Sequence, residues 1–94
     1  MVTENTLYGG CYYPTHGIFI LAMASKSLFS AYPDDVQFDF YVGIKGGDKL
    51  YCFLSFLDGD YSLNDGDGIH GLFNNYLNSE EVLTTAIKAS DEHL

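Results

Sequence analysis

Arginine is absent from this 94-residue chain, and lysine occurs only four times. Arginine's planar, two-pronged guanidinium is the usual grip on phosphate and carboxylate. With only Lys26, Lys45, Lys49 and Lys88 in its place, the chain is poorly equipped to bind DNA, RNA or nucleotides through their phosphates. Tryptophan is missing too, so the 16% aromatic content rests on eight tyrosines and seven phenylalanines. Long apolar runs are also lacking. The longest, Ile18 to Ala24, falls far short of the roughly 20 residues that span a bilayer. The first residues, MVTENTLYGG, have neither the positive n-region nor the apolar h-region of a secretory signal. Cysteine is scarce, with Cys11 and Cys52 alone. These absences lead to the expectation of a soluble, cytoplasmic protein (host-cell cytoplasm if viral) with reduced thiols, no membrane contact and no direct nucleic-acid ligand.

What is present is negative charge. Thirteen acidic residues set a formal net charge of −9, although only 18% of the chain is charged. The imbalance comes from missing cations rather than from extra acids. A small domain at this charge repels nucleic acid, nucleotides and anionic membrane, and attracts basic surfaces over about a Debye length. The apolar fraction of 47% is that of a globular protein and too high for a disordered acidic tail. Residues 1–94 are therefore expected to form one domain.

The chain has no internal repeat and no long linker. Asn5, Gly9, Gly10 and Pro14 read as an irregular N-terminal arm over 1–14, with at most a short strand around Thr6–Tyr8. From Thr15 to Tyr32 helix is favoured. Thr15 serves as N-cap, Pro33 as stop, and Ile18, Leu21, Ala22, Leu28, Phe29 and Tyr32 share one helical face. A buried strand over Gly17–Leu21 competes, because a short apolar run does not reveal its period.

Val36 to Ile44 alternates strictly, placing Val36, Phe38, Phe40, Val42 and Ile44 on one face as a half-buried strand. Gly46-Gly47-Asp48 supplies a turn into a second strand over 50–57. That strand is apolar on both sides, which predicts a central position in its sheet. Ile69–Leu77 reads as a short helix with Ile69, Leu72, Phe73 and Tyr76 on one face. A final helix follows to about Ala89, with Asn78 as cap, Glu81 completing a capping box, and Val82, Leu83, Ala86 and Ile87 buried. Residues 91–94 are expected to fray. The fold class that follows is α+β, a small antiparallel sheet built on a central hairpin with helices on one face.

Few constellations suggest chemistry. The loop DGDYSLNDGDG (58–68) is acidic, but calcium-loop spacing fails. With Gly68 at position 6, positions 1 and 12 hold Leu63 and Asn74, and with Gly66 there, position 3 holds Leu63. No metal or cofactor is assigned. Cys11 with His16 or His70 could form a thiol–imidazole pair, but no local signature supports one, and Cys52 reads as a core residue. Asp39 could pair with Lys49 across the hairpin. The glycine pairs match neither a dinucleotide fingerprint nor a phosphate loop.

What stands out is distribution. Asp34, Asp35, Asp39, Asp58, Asp60, Asp65 and Asp67 interleave with tyrosines, Tyr61 among them. Carboxylates around aromatic anchors suit a surface that covers a basic, nucleic-acid-binding site on another protein. The expected function is a small, non-enzymatic inhibitor of such a partner. It would be either a phage anti-defence protein (anti-CRISPR-like, a nucleic-acid mimic) or an immunity protein against a nuclease toxin. Its partner-binding residues would be the seven aspartates and Tyr61. A small Cys/His enzyme and an oligomeric structural protein are the alternatives.

Overall fold

The strict alternation of Val36–Ile44 becomes the spine of the molecule. The computed structural model describes residues 6–28, 31–32 and 34–94. In it, strand β3 spans Val36–Ile44 and buries Val36, Phe38, Phe40 and Val42 while its intervening side chains point the other way. On either side lie β2 (Ile18–Lys26) and β4 (Leu50–Asp58), and β1 (Leu7–Tyr13) completes an antiparallel meander in the order β1-β2-β3-β4. Helices α1 (Gly66–Leu77) and α2 (Glu80–His93) cover one face only, α1 over β1 and β2, α2 over β3 and β4. The architecture is α+β with a small antiparallel sheet.

The core forms between this face and the helices. Ile18, Ile20, Ala22 and Ala24 of β2 lie beside the inward residues of β3, and Ile69, Leu72, Phe73, Leu77 and Ala86 close over them. Phe73 meets Phe38 and Phe40 edge-on at ring-centre distances of 6.3 and 6.0 Å, and Phe56 stacks on Phe38 at 5.2 Å. Each fully buried phenylalanine contributes about 1.5–3 kcal/mol from apolar transfer. Gly9 permits the approach of α1 to β1, since a Cβ there would sit 2.9 Å from Cδ2 of the buried Phe73.

Five expectations change. The Thr15–Tyr32 helix is instead strand β2 over Ile18–Lys26, preceded by a turn, with Phe29 and Ser30 outside the described residues. Backbone pairing to two neighbours overrides the helical spacing. The irregular arm is a seven-residue strand, β1, and residues 1–5 lie outside the described residues. The second hairpin strand, β4, is an edge rather than a central strand. Its apolar character on both sides has a local cause. The register slips between Phe40 and Tyr41, whose partners are Leu54 and Cys52, so Phe53 is an extra residue in a β-bulge. The bulge lets Phe53 and Leu54 both pack towards the core, with Tyr51 and Phe56 on the same side. Cys52 turns to the other face and is exposed rather than a core residue. Last, α2 continues to His93 instead of fraying, because the His93 ring stacks on Tyr51 at 4.0 Å.

The caps also differ by one position. Ser79, not Asn78, caps α2 by accepting from the Val82 N–H at 3.3 Å, and Asn78 ends α1, its side chain donating to the Asn74 carbonyl. Asp65 caps α1 by accepting from the Gly68 N–H at 3.1 Å, which starts that helix three residues before Ile69.

Candidate partner-binding surface

Sheet connectivity gathers the carboxylates. β2 ends at Lys26, β3 begins at Val36 opposite Asp58, and β4 ends there, so the β2–β3 and β4–α1 loops leave the sheet at the same end. Asp34 and Asp35 stand in the first loop, and Asp58 and Asp60 flank Gly59 at the start of the second. The two loops touch, since Asp35 Oδ1 lies 2.8 Å from where a Cβ on Gly59 would be. Asp34 and Asp35 also line a cleft with Lys26, Ser62, Leu63 and Asn64, next to Asp65. Asp65 and Asp67 then open α1. Lys26 is the only cation among the described residues of that cleft lining. Among the described residues, the one ion pair within 4.0 Å is His93 Nε2–Glu92 Oε2 at 3.9 Å, and no lysine takes part.

Local hydrogen bonds hold the loops in place. Asp58 Oδ1 accepts from the Asp60 N–H at 2.8 Å, the Ser27 N–H donates to the Asp35 carbonyl at 3.1 Å, and Ser62 Oγ accepts from the Asn64 N–H. Asp65 therefore has a structural task as well as a charge.

Two of the sequence-derived residues lie elsewhere. Asp39 sits mid-sheet on the face away from the helices. It pairs not with Lys49 but with Ser55 Oγ, which donates to its Oδ1 at 2.5 Å, and with Gln37 Nε2 at 3.0 Å. Tyr61 is half-buried and packs edge-on against Phe38 at 5.5 Å, and so belongs to the rim of the core. Tyr51 and Tyr76 likewise pack against the core.

Tyr32 is 57% exposed in the β2–β3 loop beside Asp34, but most of the exposed aromatic surface lies away from the acidic loops. Tyr8, Tyr12 and Tyr41 occupy the open face of the sheet with Phe19, Leu21 and Met23. Tyr8 is 46% exposed and Tyr12 44%. The alternation that would have revealed β1 is hidden by Gly9 and Gly10, which punctuate the segment like a turn.

Three groups hold their protons more firmly than usual. Burial, and then the charge of Cys11, push the Tyr13 hydroxyl up to about 12, and that hydroxyl donates to the Leu77 carbonyl. Burial followed by the Asp39 carboxylate raises both Tyr41 and the Cys52 thiol. A raised thiol is the opposite of what activates a cysteine nucleophile. Among the described residues neither thiol bonds to an imidazole. Cys11 and Cys52 donate to the Tyr12 and Leu54 carbonyls, while His16 lies in the β1–β2 turn and His70 rests edge-on against Phe73. No three His, Cys, Asp or Glu residues among those described converge as a metal site, and no helix among them is long and apolar enough to cross a membrane.

No protein-family model, curated protein or solved structure matches this chain.

Proposed function

We propose that this protein is a small, non-enzymatic inhibitor that binds a basic, nucleic-acid-binding protein partner in the cytoplasm and occludes its cationic site. The observation that carries the reading is the convergence of Asp34, Asp35, Asp58, Asp60, Asp65 and Asp67 at one end of the sheet, with Lys26 the only cation among the described residues that line the cleft there. Unpaired, crowded carboxylates destabilise a fold by mutual repulsion, and a partner's lysines and arginines relieve it on binding. Spaced anionic groups at the end of a rigid sheet present a basic groove with charges like those of a phosphate backbone. A phage anti-defence protein acting as a nucleic-acid mimic and an immunity protein against a nuclease toxin both fit this chemistry.

The test compares the wild type with a variant carrying Asp→Asn at 34, 35, 58 and 60 as baits in host lysate. The wild type retains a nuclease or nucleic-acid-binding protein at low salt and releases it as salt rises, whereas the variant does not hold it. Equal retention of the same proteins by both baits through the same salt range contradicts the proposal.

A further inference from the structure

The two faces of the sheet are unequal in cover, yet the open one is also broadly apolar apart from the polar strip of Gln37, Asp39 and Ser55. Helices bury one face, and the other carries Tyr8, Phe19, Leu21, Met23, Tyr41 and Leu50, with no element among the described residues above it. Soluble monomers rarely leave so large an apolar patch in water. We infer that the open face of the sheet is a dimer interface, occupied by a second copy of this chain laid face to face and head to tail.

Charge selects this occupant. On a chain of net charge −9, the strand positions of the open face carry one carboxylate, Asp39, and no lysine. Asp39 is already satisfied from within, by Ser55 and Gln37. A cationic partner would gain little from so neutral a face, whereas an identical copy brings only its own Asp39, already held by Ser55 and Gln37, to the contact. The ends of the sheet then set the direction. One end carries Asp34, Asp35, Asp58 and Asp60, and the other carries Lys45 and Lys49 with Asp48 in the β3–β4 turn, Lys45 lying 5.5 Å over the Tyr12 ring. A dyad along the strands would stack acidic end on acidic end. A dyad across them sets each acidic end against the other copy's lysine end, and is favoured.

Size and shape agree. Nine-residue strands in a four-stranded sheet make a face of roughly 30 by 19 Å. That plan area of about 570 Å², corrugated by side chains, approaches the ~800 Å² of accessible surface per partner in a standard interface. The face is also smooth. Gly43 lies under the Phe19 ring, whose Cζ is 2.3 Å from where a Cβ would be, and Leu21 leans over Gly10. Such a surface suits sheet-on-sheet packing at about 10 Å.

This inference is independent of the inhibitor proposal, since it concerns the protein alone and a different surface. Sedimentation equilibrium of the purified chain across a wide concentration range is expected to give twice the 10.4 kDa of one chain. Because each copy is strongly anionic, association should tighten between about 0.1 and 1 M salt as repulsion is screened. Leu21→Lys, at a half-exposed position, should weaken it at least about tenfold while the far-UV dichroism stays native. Tyr12→Lys on the rim serves as a second variant should Leu21→Lys unfold. Cys52 lies on the open face opposite Tyr41, whereas Cys11 pairs with Ile20 at the β1 edge, pointing away from it. Alkylation of Cys52 should therefore slow as protein concentration rises, and that of Cys11 should not. The inference is overturned by a chain monomeric at every concentration and salt, including one that gains mass only with a different protein. It is equally overturned by folded lysine variants that dimerise like the wild type, or by Cys52 alkylation that ignores concentration.

Discussion

Neutralising the crowded end of the sheet should make the protein more stable, and the gain should vanish in salt. Asp35, Asp58 and Asp60 are the clearest case, because the Asp35 carboxylate approaches Gly59, the residue between the other two. Asp58 and Asp60 are two Cα steps apart, about 6 Å, which sets the scale of separation for the three carboxylates. In water two like charges at that distance repel by about 0.7 kcal/mol, or about 0.6 at 0.01 M ionic strength. Three such pairs amount to about 2 kcal/mol at that salt, about 1 kcal/mol at 0.15 M and a few tenths at 1 M. Replacing all three by Asn keeps the shape of each side chain, and keeps an acceptor at position 58 for the Asp60 N–H. Since 1 kcal/mol moves the midpoint of a domain this small by about 4–8 °C, the triple variant should melt roughly 8–15 °C higher in low salt and within about 3 °C of wild type at 1 M. Thermal unfolding followed by circular dichroism at the two salts is sufficient. A triple variant no more stable than wild type in low salt would refute the reasoning, because the carboxylates would then be held by favourable interactions rather than left in mutual repulsion.

Other substitutions separate structure from charge. Asp65→Ala should cost about 1 kcal/mol by removing the α1 cap, whereas Asp65→Asn should cost little, and chemical denaturation distinguishes them. For this reason asparagine, not alanine, is the substitution that probes partner binding in the acidic loop. Gly9→Ala should destabilise by about 1–3 kcal/mol, since its methyl meets the buried Phe73 ring and α1 must shift, again read by denaturation. Tyr13 is neutral in the fold up to about pH 12 and titrates near 10 when unfolded. Its contribution is therefore complete below pH 10 and lost as pH rises towards 12. Tyr13→Phe should flatten that alkaline loss and cost about 1 kcal/mol at neutral pH, through the missing hydrogen bond to Leu77.

Much of the fold could be read from the sequence where one face of an element meets water. Val36–Ile44 alternates cleanly because Gln37 and Asp39 interrupt the apolar residues on its outward side, and its ends match the structure. Where the outward face is itself apolar, the reading breaks down. In β2, Phe19, Leu21 and Met23 fill the positions that polar residues would occupy in a solvated strand, which erases the period of two. In β4 the same apolar outer face, combined with the bulge at Phe53, makes an edge strand look central. β1 was hidden by glycines that serve packing rather than turning. The failures at β2 and β4 share a cause in the apolar residues of the uncovered face, whereas that at β1 comes from Gly9, which makes room for Phe73 on the covered one. Of the candidate site, the clustering of acids in sequence was visible, but their convergence depends on two loops meeting at one end of the sheet. The cap formed by Asp65 and the inward packing of Tyr61 depend on backbone geometry that composition does not carry.

The most direct measurement is the association rate constant of this protein with the basic partner it retains, taken from low to high salt. Steering by the acidic end predicts a fall of at least about tenfold between about 0.05 and 0.5 M salt, with dissociation changing far less, and a flattened dependence in the Asp→Asn variant at 34, 35, 58 and 60. A rate constant that ignores salt, or falls equally in the variant, contradicts the account.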